Sequence, residues 1–130
     1  MGGMTRILVS DDDDDIREFV SFVLARAGHD VSTAKDGAEA IAFLTAEHFD
    51  LLVVDQHMPH ATGAEVLHAL RQRTPQTKAL LMSGDHQMGT DAEVAEVKPH
   101  FLRKPFNLTA LMAAVDALVG DETAPAVATA

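Results

Sequence analysis

Leu51-Leu52-Val53-Val54-Asp55 is the stretch that decides how this chain folds. Four apolar residues follow one another without polar alternation, and an aspartate stops the run. A strand with one wet face would alternate, so this run predicts a strand covered on both sides, as in a parallel sheet sandwiched between helices. The same sentence is written elsewhere in the chain. Arg6-Ile7-Leu8-Val9-Ser10 ends at Asp11, Ala79-Leu80-Leu81-Met82 ends at Ser83-Gly84, and the short run Phe101-Leu102 comes just before Lys104-Pro105. Asp30–Ala34 is more polar and suits the edge of a sheet.

Helical spacing fills the intervals. Ile16, Phe19, Val20, Val23, Leu24 and Ala27 make one helical face, and Gly28 stands where a helix is expected to stop. Asp36 and Gly37 open a second helix through Ala38, Ile41, Leu44 and Ala46. The loop Met58–Gly63 leads into a third, carrying Val66, Leu67 and Leu70 and broken by Thr74-Pro75. A weaker helix is expected over Thr90–Val97, and a clear last one carries Leu108, Leu111, Met112, Val115, Leu118 and Val119. Strands alternating with helices imply an α/β fold: a mostly parallel sheet with helices on both faces.

Composition removes several classes of function. The chain has 130 residues, 10 Lys+Arg against 20 Asp+Glu, a net charge of −10 and no Cys, Trp or Tyr. That length fits one domain. The acidic balance argues against direct nucleic-acid binding, which needs a cationic face. Without cysteine there is no disulfide framework, thiolate nucleophile or cysteine-ligated zinc. The apolar runs fall far short of the ~20 residues that span a bilayer. Met1–Arg6 has no apolar signal region, so no membrane insertion and a cytoplasmic location are expected. A domain over residues 5–119 is expected, with Gly120–Ala130 as a mobile tail.

Short βα loops gather residues at the carboxyl ends of parallel strands. The residues expected there are Asp11 and Asp12, Asp55, Ser83 and Lys104. Carboxylates packed together repel one another unless a cation sits among them, and an all-oxygen donor set suits a hard divalent ion such as Mg2+. A lysine offsets part of the charge and can hold a second anion. A cation, an ammonium and a hydroxyl around one carboxylate describe a site that receives a phosphoryl group, with Asp55 as the nucleophile because it ends the central strand. Bland readings exist for each part. Asp13, Asp14 and Asp15 read best as helix-capping charges, Ser83 could be a turn hydroxyl, and Phe101 could be core packing.

The set Asp11-Asp12, Asp55 with Met58-Pro59 and Gly63, Ser83-Gly84, and Lys104-Pro105-Phe106 resembles the receiver domain of bacterial two-component response regulators. Each piece is weak alone, but all of them in order over Thr5–Val119 are specific. The resemblance implies a flavodoxin-like, doubly wound five-stranded sheet of order 2-1-3-4-5. It implies that Asp55 takes a phosphoryl group from the phosphohistidine of a histidine kinase or histidine phosphotransfer protein. Asp12 and Asp55 would ligate Mg2+, with Mn2+ able to substitute. The backbone carbonyl of His57 would be a further ligand, and Asp11 would act through water. Lys104 would pair with Asp55 and then with the phosphoryl oxygens. Ser83 would bond to the attached group, and Phe101 would be a switch aromatic. The Lys104-Pro105 bond would be cis. A changed surface would then engage a downstream protein, and a phosphorylation-dependent dimer is compatible with that scheme.

Three features depart from the family pattern: the long acidic run, the irregular stretch Asp85–Pro99, and Gln56-His57 after the acceptor. His57 stands where its side chain would bear on a hydrolytic water. His57, His60 and His86 match no zinc spacing, while His29, His48, His68 and His100 read as surface or element-end residues. Lys98-Pro99 imitates Lys104-Pro105 but precedes its strand. The runner-up functions are a degenerate receiver used as a binding module and a Mg2+-dependent aspartate-nucleophile phosphatase. The phosphatase wants a second carboxylate where His57 stands. A flavodoxin-like electron carrier would need to cradle a phosphate where Asp11–Asp15 repels one.

Overall fold

The computed structural model describes residues 5–84 and 99–123. The sheet contains β1 (Arg6–Ser10), β2 (Asp30–Ala34), β3 (Leu51–Asp55), β4 (Lys78–Ser83) and β5 (His100–Arg103). All pairings are parallel, in the order β2-β1-β3-β4-β5. This is the flavodoxin-like topology that the resemblance implies, with polar β2 at an edge. Crossing helices are α1 (Asp14–Arg26), α2 (Gly37–Ala46), α3 (Gly63–Arg73) and α4 (Leu108–Thr123).

Side chains alternate across a strand, so each central strand feeds two cores. Ile7, Val9, Leu51, Val53, Leu80 and Met82 pack with Val20 and Leu24 of α1 and Leu111, Val115 and Leu118 of α4. Leu8, Leu52, Val54, Ala79 and Leu81 face the other way, onto Leu44 of α2 and Val66, Leu67 and Leu70 of α3. Every residue of β3 is buried, as its unbroken apolar run requires.

Helix ends follow local chemistry. Asp13 caps α1 by accepting from the N–H groups of Asp15 and Ile16, and Asp36 caps α2 by accepting from Glu39. Thr62 and Glu65 form a reciprocal capping box on α3. At the far end of α1, Gly28 takes φ 102° and donates to the Ala25 carbonyl, while His29 donates to that of Leu24. This paired closure of the last turn needs a left-handed residue, hence the glycine.

Three expectations are corrected. Phe19 lies on the apolar stripe of α1 but is 41% exposed, and Leu108 of α4 is 51% exposed, because each lines an open groove and not the core. Helix α4 runs on to Thr123, so residues 120–123 belong to it and not to a tail beginning at Gly120. The helix expected over Thr90–Val97, His86, Lys98 and residues 124–130 lie outside the described residues. Among the described residues no helix is long and apolar enough to cross a membrane.

Candidate functional site

At the carboxyl end of the sheet the chain leaves β1, β3, β4 and β5 within one small volume. Asp11 follows β1, and its N–H donates to the Ala34 carbonyl at 3.2 Å, extending the pairing with β2 by one bond. Its side chain is fully buried: Oδ1 accepts from the Asp13 N–H at 2.9 Å and Oδ2 from Lys104 Nζ at 3.0 Å. Asp12 is exposed. Asp55, the last residue of β3, is 5% exposed and lies 3.0 Å through Oδ1 from the same Lys104 Nζ. One ammonium thus bridges two carboxylates that come from different strands.

Lys104 is carried there by β5, and its main-chain N–H donates to the Ser83 carbonyl at 2.9 Å. That bond ties the exit of β5 to the exit of β4, where Ser83 is fully buried. The following Lys104-Pro105 bond is cis.

Backbone and side-chain bonds also hold the loop after Asp55. The Gln56 N–H donates to the Met82 carbonyl, and the Gln56 carbonyl accepts from Gly63. Gln56 Oε1 caps α3 by accepting from the Ala64 N–H at 2.9 Å. Across the loop, Gly37 donates to the Pro59 carbonyl and Ser10 Oγ donates to Met58 Sδ at 3.2 Å. A Cβ on Gly63 would lie 2.7 Å from the Asp55 carbonyl and 2.7 Å from Leu81 Cδ1, so only glycine lets α3 start this close to β3. His57 and His60 are exposed, with His60 at φ 71°.

Charge at the site is out of balance. Among the described residues, Asp11, Asp12 and Asp55 form the one cluster of three or more ligating side chains, with one oxygen from each within 4.8 Å of the others. Lys104 supplies a single positive charge against them. Burial pushes the Asp55 carboxyl above the usual aspartate range; the bond from Lys104 opposes this, while the charges of Asp11 and Asp12 add to it. Burial pulls Lys104 down, but its bonds to Asp55 and Asp11 outweigh that, and the ammonium is held above its ordinary value. A donor set of carboxylate oxygens with surplus negative charge fits a hard divalent cation.

The family follows from this geometry and from kinship. The model for the response regulator receiver domain matches residues 7–116. The chain belongs to the receiver domains of two-component response regulators. It is similar to the chemotaxis response regulator CheY4 of Vibrio cholerae, with TM-score 0.83, 33% identity, and coverage of 88% of this chain and 98% of that one. A second similar structure is the response regulator TrrA of Thermotoga maritima in complex with Mg2+-BeF, with TM-score 0.81, 30% identity, and coverage of 88% and 99%. The transcriptional regulatory protein PrrA of Mycobacterium tuberculosis is 36% identical over 117 residues, 88% of this chain and 49% of its own length. The DNA-binding transcriptional regulator NtrC of Azospirillum brasilense is 31% identical over 121 residues, 92% of this chain and 25% of its own. The receiver therefore spans half or less of these curated relatives.

The structure brings Asp11, Asp12, Asp55 and Lys104 together, with Ser83 at the adjoining strand end. Phe101 stands apart on β5 and is 45% exposed, so it is not core packing. Sequence reading missed Arg17. Its Nη1 donates to the Asp11 carbonyl at 2.9 Å and its Nη2 to Asp14 Oδ1 at 2.5 Å. The i,i+3 spacing of Asp14 and Arg17 was the available signal. Nothing local announced the bond to Asp11.

Proposed function

We propose that this receiver is a cytoplasmic phosphoacceptor switch that takes its phosphoryl group onto Asp55 from the phosphohistidine of a histidine kinase or histidine phosphotransfer protein. The observation that carries this reading is the convergence of Asp12, Asp55 and Lys104 at one sheet end. An Asp55 oxygen attacks phosphorus in line, the bond to the donor imidazole breaks, and an acyl phosphate is left on Asp55. Lys104 already bridges Asp55 and Asp11, and would move its contact onto the new phosphoryl oxygens. Ser83 would bond to the group once it is attached.

The carboxylates of Asp12 and Asp55 and the carbonyl of His57 would hold Mg2+, or Mn2+ in its place. The cation supplies positive charge against the phosphoryl oxygens. Both oxygens of Asp11 already accept hydrogen bonds, which supports an indirect role for it through water. Beside Lys104, Ile16, Phe19, Pro105 and Phe106 line an open apolar groove. A donor protein reaching Asp55 would find purchase there. Exposed Phe101 lies on β5 in register with Leu81, two residues before Ser83 on the neighbouring strand, and would report the change to a downstream protein or to a second copy.

Intact-mass spectrometry after incubation with Mg2+ and acetyl phosphate tests this. Wild type should gain one phosphoryl adduct that EDTA prevents, and Asp55→Asn should gain none. Equal labelling of Asp55→Asn would remove Asp55 as the acceptor. Failure of wild type to label, together with failure to bind beryllofluoride, would make the chain a phosphorylation-independent binding module. Turnover of small phosphate esters would point to a phosphatase.

A further inference from the structure

The run Asp11–Asp15 contains more acid than the site uses, and the structure gives the surplus separate tasks. Asp11 is committed to Lys104 and to the Asp13 N–H, Asp13 caps α1, and Asp12 is exposed at the cluster. Asp14 is the member that pairs along the helix, with Arg17 three residues on.

We infer that Asp14 and Arg17 form a brace that positions the loop carrying Asp12, with Arg17 acting as a positioning residue for Mg2+ capture. The inference rests on the reading of Asp12 and Asp55 as metal ligands. Arg17 leaves α1 one turn after the loop, and its side chain is 17% exposed. One end of its fork donates to the Asp11 carbonyl at 2.9 Å, the other to Asp14 Oδ1 at 2.5 Å. The Asp11 carbonyl belongs to the peptide that joins Asp11 to Asp12, so fixing it fixes the direction in which Asp12 departs. The Asp11 N–H is fixed separately, by the Ala34 carbonyl. Asp14 holds the guanidinium plane, because a planar fork with two partners has little freedom left.

Electrostatics alone makes the opposite demand. A guanidinium bonded to the Asp11 carbonyl adds positive charge near the cluster and disfavours a second cation, so on charge alone removing Arg17 should tighten Mg2+ binding. Positioning predicts that removal loosens it. The sign of one measurement therefore separates the two.

The experiment is calorimetric titration of Mg2+ into wild type, Arg17→Gln, Arg17→Lys and Asp12→Asn. Amide hydrogen exchange is followed in parallel on the metal-free proteins. Mg2+ affinity should fall about tenfold in Arg17→Gln, on the scale of lost supporting bonds around a metal. It should also fall in Arg17→Lys, which keeps the charge but has no fork to span both acceptors. In metal-free Arg17→Lys, the Asp12 and Asp13 amides should exchange faster while those of α3 do not change. Unchanged or tighter Mg2+ binding in Arg17→Lys, with unaltered exchange, overturns the brace. If Arg17→Gln fails to fold, Arg17→Lys alone decides. Failure of wild type to bind Mg2+, or binding that survives Asp12→Asn, would overturn the metal-site reading instead; the exchange measurement judges the brace without metal.

Discussion

Arg6 and Lys104 stand at opposite ends of the same sheet, and each faces several carboxylates. Around Arg6 the charges are spread out and wet. Its Nε lies 3.3 Å from Asp30, its Nη2 2.5 Å from Glu47, and its Nη1 donates to the His48 carbonyl. The guanidinium also lies 4.9 Å from the centre of the Phe49 ring. Asp50 is served separately, by the main-chain N–H of Arg6. Around Lys104 the acids converge on one ammonium, with Asp11 and Asp55 buried. The first arrangement leaves each acid with its own donor and asks for nothing further. The second retains an excess of negative charge in a place where water screens it poorly, and such an excess suits a cation.

The contrast can be broken most forcefully at Lys104. Replacing it with Met strands two buried carboxylates, and about 3 kcal/mol of stability should be lost in chemical denaturation near pH 7. The deficit should shrink as acid protonates the carboxylates. A deficit independent of pH would mean that packing, not charge, explains it.

Mg2+ should come next. At a free concentration near a hundred times its dissociation constant, it should stabilise wild type by about 2.7 kcal/mol. Most of that gain should vanish in Asp12→Asn and persist in Arg6→Gln. A gain equal in all three proteins would place the ion elsewhere.

Asp55→Asn sharpens the comparison through its sign. Burial raises the Asp55 carboxyl in the folded protein above its unfolded value. Its contribution to stability is thus complete below the unfolded pKa and is lost as pH rises through the folded one. At pH 7 and without metal, Asp55→Asn should be the more stable protein, and the advantage should fade on titration below about pH 4. A destabilised Asp55→Asn at neutral pH would show that the bond to Lys104 dominates. Arg6→Gln should have the smallest effect of the set, and one that high salt reduces further, because exposed ion pairs contribute little. A large loss there would show that the stacking on Phe49 matters more than the charges.

Much of the frame was legible because its signals are local. An unbroken apolar run such as Leu51–Val54 suits a strand buried on both faces, and the polar residue ending it falls at the sheet's carboxyl end. Asp36, Gly28 and Thr62 with Glu65 mark helix ends by bonds that span only a few residues. The sheet order rested on kinship, not on periodicity, since spacing alone does not rank the strands.

By itself, then, the amino-acid sequence determined the alternation of strands and helices, the acidic balance, and which residues end the strands. Tertiary structure decided how those residues divide the work. Asp11 and Asp12 are chemically identical neighbours, yet one is buried against Lys104 and the other is exposed. Phe19 and Val20 share one stripe of α1, yet only Val20 is fully buried. Arg17 reaches the Asp11 carbonyl only because α1 turns back over the loop that precedes it. A side chain's own chemistry sets what it can bind. Which partner it meets, and how much water it keeps, depends on how the fold sets the rest of the chain around it.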